Sequence, residues 1–431
     1  MTKDRLVLRL PADEAYLPLA TSFVEEASTA FRLGQSEALS LTLATEEVFL
    51  HLVKAVISDR DCIEIGCTNG GYRVRVDLDF PAARLDLRTF NLTASVTPTD
   101  ESSLEEMGLL LASRSVDQFQ LVQLESARLR LGLFKERAYP PIGQPDLPAA
   151  RPLGLYLVRP ATKEEAKVLS QIAFSRYTAD LLPSFLGFPG KLSDMVAAGD
   201  YQAAVAVGES ETLGGGLLWR SEGGRIAECY GPYLVEGTGE NSEVGEALID
   251  HCLGIIAKTS VTGLLNFHPT PDFPQNRFER LGSLRRSDET VSSRTAWFRL
   301  LHEDPGTVCW TSPALAEFLT GQYERLVLPR EIRLVRDEGE NRDAHSVLFA
   351  DIDRTRSSVT LHPVWPGLDS AHNLETHLQL LKAEGFREIL FSLDAGQSWQ
   401  AHFAPFLLDA GFQPQLILPY AGQGDMVLFQ L

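Results

Sequence analysis

This chain has little of what would mark it as secreted, membrane-bound or nucleic-acid-binding. Only five cysteines occur in 431 residues, at positions 62, 67, 229, 252 and 309, and none forms a CxxC pair. That excludes a disulfide framework and argues for buried thiols in a reducing cytoplasm. No apolar run reaches the ~18 residues that a membrane span needs. The first residues, MTKDRLVLRLPADEAY, are charged and then alternate apolar with polar, which predicts a strand rather than a signal peptide. Clustered positive charge is also missing. Residues 1–140 hold 15 Lys+Arg against 21 Asp+Glu, and the other 291 hold 24 against 37, for a net charge of −19. A phosphate backbone needs concentrated Lys and Arg, so a nucleic-acid partner is not expected. There is no GxSxG elbow for a serine nucleophile.

What is present reads as a multidomain α+β or α/β protein. Its length exceeds one ordinary core. Residues 1–137 predict a strand over 5–10, a helix over 16–30, a helix over 37–57 and a hairpin turning at Asn69-Gly70-Gly71. A polar stretch, 91–105, reads as a loop. The next segment, from Met107, begins as a helix, and ARLRLGLFK closes the domain as a strand. Residues 138–154 carry five prolines and read as a linker. Residues 155–305 and 306–431 each predict a strand pair, helix, strand, helix, Gly and strand, a weak structural repeat. In the later unit, Gly385 and Gly411 end the two helices.

The segment LSLTLATEEVFLHLVKAV carries the sharpest pattern. Leu41, Ala44, Val48, Leu52 and Ala55 recur at helical spacing and form one apolar stripe. Glu47 and His51 are four apart on another face. This helix resembles the nucleotide-binding helix of the GHKL ATPases, in the anti-sigma serine-kinase branch. The resemblance implies an N-terminal GHKL-like α/β sandwich that binds ATP with Mg. Glu47 takes the place of the catalytic Glu, and His51 stands where the family has a magnesium-binding Asn. Asp77 and Asp79 fall where the adenine-binding Asp is expected, and Gly108 where a glycine-rich phosphate loop is expected. The pattern departs from the family in three ways: His replaces Asn, no glycine follows either Asp, and Leu109–Leu111 replace further glycines. Magnesium prefers oxygen ligands, and leucines crowd a phosphate.

Residues 155–305 resemble the GNAT acetyltransferases, through the VRPAT opening, the strand ECYGPYLV and the helix after it. Acetyl-CoA would lie along Val235, Val244 and Gly245, with its pyrophosphate at a helix N-terminus. Only Gly245 matches the family's pyrophosphate loop, and Glu240 and Glu243 add negative charge there. Phe278 falls where a proton-donating Tyr is usual on a last helix, and His268 is the alternative acid or base. Residues 306–431 resemble a degenerate second GNAT-like half. Gly214-Gly215-Gly216 reads as a strand-end turn.

Together the resemblances imply a cytoplasmic regulatory protein that couples an ATP-binding domain to an acyl-CoA-binding module. Its expected partner is an anti-sigma antagonist or a sigma-like factor, and the kinase branch often forms homodimers. The alternatives are an active GNAT acyltransferase regulated by its N-terminal domain and a working serine/threonine kinase.

Overall fold

A computed structural model describes the whole chain except residues 1–3, 56–61, 82–90, 92–111, 113, 125–127, 144–152, 222–223, 236–240, 286–292, 337–338, 340–341 and 354–356. The chain is α+β with several sheets. Among the described residues no helix is long and apolar enough to cross a membrane, and no cluster of His, Cys, Asp and Glu could hold a metal ion.

The N-terminal elements are β1 (Arg5–Pro11), α1 (Leu17–Ala30), α2 (Gln35–Ala55), β2 (Cys62–Asn69), β3 (Arg73–Pro81), β4 (Gln118–Leu124) and β5 (Arg128–Glu136). The five strands form one antiparallel sheet, ordered β1-β2-β3-β5-β4. The hairpin turns where the sequence predicts it, with Asn69 Oδ1 accepting from the Gly71 N–H at 3.0 Å. Alternation on β3 sends Val74, Val76, Leu78 and Phe80 into a core with Leu41, Ala44, Val48 and Leu52 of α2. The predicted loop lies outside the described residues apart from Asn91. So does most of the segment from Met107 that predicts a helix.

Next come β6 (Tyr156–Pro160), α3 (Lys163–Arg176), α4 (Pro189–Ala198), β7 (Gln202–Gly208), β8 (Leu213–Arg220), β9 (Ile226–Leu234), α5 (Asn241–Ile256), β10 (Gly263–Asn266), β11 (Glu279–Leu284) and β12 (Arg294–Leu300). They build a seven-stranded sheet, ordered β11-β12-β10-β9-β8-β7-β6, in which β9 and β10 run parallel and their neighbours antiparallel. The start of α3 follows from its sequence. Thr162 and Glu165 form a reciprocal capping box, which satisfies two otherwise unpaired N–H groups. The glycine triplet is not a turn but lies inside β8. Gly215 has φ of +144°, and a Cβ there would meet the Tyr233 carbonyl at 2.4 Å. Gly215 therefore serves the close approach of β8 to β9, while Gly214 makes room for Leu153 and Gly216 for the Ala204 carbonyl and Leu169.

The chain ends with β13 (Thr307–Thr311), α6 (Pro313–Leu326), β14 (Arg330–Leu334), β15 (Val347–Asp353), β16 (Ser358–Trp365), α7 (Ser370–Ala383), β17 (Glu388–Asp394), α8 (Phe403–Asp409), β18 (Gln413–Leu418) and β19 (Met426–Gln430). Gly385 and Gly411, just past α7 and α8, both have positive φ.

Two compact units emerge. One comprises residues 1–138, 339–351 and 361–385. The other comprises 139–338, 352–360 and 386–431. Cys67, Cys229, Cys252 and Cys309 are buried free thiols, and Cys62 is half-buried.

Candidate functional site

In the first unit, Glu47 and His51 lie half-buried on α2, one helical turn apart. Asp77 and Asp79 do not join them. Strand alternation turns both away from the core that α2 covers, because Val76 and Leu78 occupy that face. Each carboxylate is instead engaged on its own side of the sheet. Arg75 Nε donates to Asp77 at 2.6 Å. Arg130 donates to both oxygens of Asp79, at 2.6 and 2.5 Å. Asp77 sits in register between Gly66 and Gly132, whose missing side chains leave room for the Arg5 guanidinium and the Phe134 ring. Adenine recognition by an Asp needs a free carboxylate facing the base. Asp79 has both oxygens on Arg130 and so offers none, while Arg75 holds one oxygen of Asp77. Gly108 lies outside the described residues.

The second unit contains the place where a parallel sheet opens. β9 and β10 pair only as far as Glu228 and Leu265. Beyond that they separate, and one isolated bridge joins Gly231 to Pro269. A crevice outside the carboxyl ends of parallel strands is where such folds accept ligands. An extended ligand arm would pair there with the free edge of β9, as an added strand does.

That edge is already paired to the chain's own side chains. Asn266 Nδ2 donates to the Gly231 carbonyl at 3.0 Å, and Thr270 Oγ1 to the Pro232 carbonyl at 2.8 Å. The Leu234 N–H donates to the Tyr177 hydroxyl at 2.9 Å. The Leu234 carbonyl accepts from Arg176 at 2.7 Å. Tyr177 and Arg176 close α3 and meet again on Asp272. The Tyr177 hydroxyl donates to it at 2.6 Å, and Arg176 pairs with it at 3.6 Å. Burial and then the Asp272 bond hold the Tyr177 phenol far above its ordinary pKa, so it stays protonated and able to donate.

The residues expected to hold acetyl-CoA have other neighbours. The Val235 N–H donates across to Gly214 at 2.9 Å. Val244 is buried in an apolar core with Leu248, Ile249 and Cys252. Gly245 lets the following loop approach, since a Cβ there would stand 2.9 Å from the Asp272 carbonyl. That carbonyl and the exposed Glu243 put negative charge beside the start of α5. Glu240, in the expected pyrophosphate loop, lies outside the described residues, as do the side chains of Asn241 and Ser242.

His268 is buried below Arg294, whose guanidinium lies 3.3 Å from its Nε2. A guanidinium can only donate, so in this contact Nε2 is the acceptor. The Tyr230 ring stacks on the imidazole at 6.4 Å between centroids. Phe278, which the resemblance places on a last helix, instead follows a short 3-10 turn (Gln275–Arg277) and leads into β11. Phe278 packs on Phe273 at 4.6 Å.

No family model matches this sequence, and no curated protein matches it. Several solved structures resemble parts of the chain. The aminoglycoside 6'-N-acetyltransferase from Enterococcus faecium is 9% identical over 35% of this chain and 99% of its own, with a TM-score of 0.28. A phosphinothricin acetyltransferase of the GNAT superfamily from Sinorhizobium meliloti, solved with acetyl-CoA, is 17% identical over 34% and 89%, with a TM-score of 0.27. The RsbU and RsbW domains of a Mycobacterium tuberculosis protein are 11% identical over 32% and 33%, with a TM-score of 0.23.

Proposed function

We propose that this chain is a cytoplasmic regulatory protein of the anti-sigma type that works by binding a protein partner rather than by catalysis. Its ATPase-like N-terminal domain would engage an anti-sigma antagonist or a sigma-like factor. Its acyltransferase-like unit would serve as a scaffold. The observation that carries this reading is Leu234, whose outward peptide groups are held by Tyr177 and Arg176. A working acyltransferase needs that edge free for its cofactor. The ion-paired Asp79 supports the same reading for the N-terminal domain, since a kinase must first hold ATP.

A pulldown with the full chain as bait, with and without Mg-ATP, tests this directly. A partner recovered equally under both conditions is expected. Recovery of none under any nucleotide condition, or only with ATP, counts against the proposal.

A further inference from the structure

Asn91 opens the polar stretch that the sequence marks as a loop, yet it is buried, with 7% of its surface exposed. Its partners are more than 250 positions away. Asn91 Nδ2 donates to the Ser346 carbonyl at 2.9 Å, and its Oδ1 accepts from the Leu348 N–H at 2.9 Å. A carbonyl and the N–H two residues on are the pair a neighbouring strand would use in a ladder. The Asn91 amide thus stands in for one peptide group of an added strand, since a carboxamide carries a donor and an acceptor in the same planar arrangement as a peptide.

A second carboxamide locks the arrangement. Asn373 Nδ2, on α7, donates to Asn91 Oδ1 at 3.1 Å and to the Ser346 carbonyl at 3.0 Å. Asp369 accepts from the Ser346 N–H at 2.6 Å. Between the pinned peptides, the Val347 side chain enters the apolar core that α1, α2 and the five-stranded sheet enclose. Trp365 packs against that core from the same distal stretch, and its Nε1 donates to Asp343 at 2.7 Å.

We infer that the N-terminal unit carries an intramolecular docking site read by Asn91, whose occupant is the chain's own segment Ser346–Leu348 backed by α7. The N-terminal domain is therefore completed by residues from the last quarter of the chain. Anything that frees this segment changes the N-terminal domain itself. The inference goes beyond the regulatory reading and stands whether or not a partner is found.

The test uses the full chain with a specific protease site placed in the Pro-rich stretch 144–150. After cleavage, size exclusion asks whether the N-terminal fragment still travels with the rest. Coelution of the wild-type fragments is expected. Asn91→Asp, which removes the donor and buries a charge, should release the fragment, and the milder Asn91→Ser should release part of it. In the uncut variants, hydrogen exchange should rise in 346–348 and in α1 and α2, while β7–β9 stay protected. Separation of the wild-type fragments overturns the inference. So does coelution of both variants with unchanged exchange at 346–348.

Discussion

Arg130 grips both carboxylate oxygens of Asp79 across the β3–β5 pair, at 2.6 and 2.5 Å, on the sheet face opposite α2. The pair makes Asp79 a structural residue. Asp79→Asn should lower unfolding free energy by about 2–3 kcal/mol, the scale of a charged hydrogen bond lost inside a protein. Urea denaturation measures this. Titration with Mg-ATP should give the same trace for the variant and the parent. A parent that binds ATP and a variant that does not would return Asp79 to the nucleotide.

Tyr177→Phe removes one hydroxyl that both donates to Asp272 and accepts from Leu234. The buried Leu234 N–H and the half-buried Asp272 each lose a partner while the ring keeps its place against Tyr233. The expected cost is about 1–3 kcal/mol, read as a lower melting temperature. Arg176→Met should act in the same direction through the Leu234 carbonyl. Stability equal to the parent in both variants would show that the edge is held by something else.

The capping box gives an acid-side prediction. Its bond with Arg159, then those with Thr162, holds the Glu165 carboxyl at about 2, against an ordinary 4.5. A carboxyl lowered in the folded state stabilises it fully above the unfolded value. That contribution fades as pH falls from 4.5 towards 2. Thermal melts across this range should show a decline that Glu165→Gln reduces.

A second pH effect runs through His377. The ring is fully buried, donates from Nδ1 to the Asn373 carbonyl at 2.9 Å, and has its pKa lowered by burial. A histidine held neutral stabilises the fold above the unfolded value of about 6.5. Stability should then fall as pH drops from 6.5 through the lower folded value. Replacing His377 with Gln should flatten that slope. An unchanged slope would mean that other groups set it.

These sites were unequally legible in the sequence. The α2 stripe and the Asn-Gly-Gly turn were readable because their signals are local: a period, and residues that favour a turn. The last helix expected at Phe278 comes from the family resemblance, not from a local period. In the structure, the segment after Phe278 is β11, which shifts register against β12 between Arg280 and Gly282 and buries Leu281 and Leu284. Asp79 looked like a ligand residue because Arg130 becomes its neighbour only once β3 and β5 pair, whereas Arg75 lies on Asp77's own strand, two residues away. Tyr177, Arg176, Asp272 and Asn91 gave no signal at all. Their roles arise from bonds across 57 to 282 positions, beyond the reach of any motif.

The central claim is that β9 presents no free edge to an acyl-CoA. Calorimetric titration of acetyl-CoA into the purified full chain tests it most directly, with a thermal shift alongside, because any ligand that binds the folded state raises its melting point. The account predicts no saturable heat and no shift. A saturating one-to-one isotherm with a raised melting temperature would contradict it and make residues 155–305 a working acyl-CoA site.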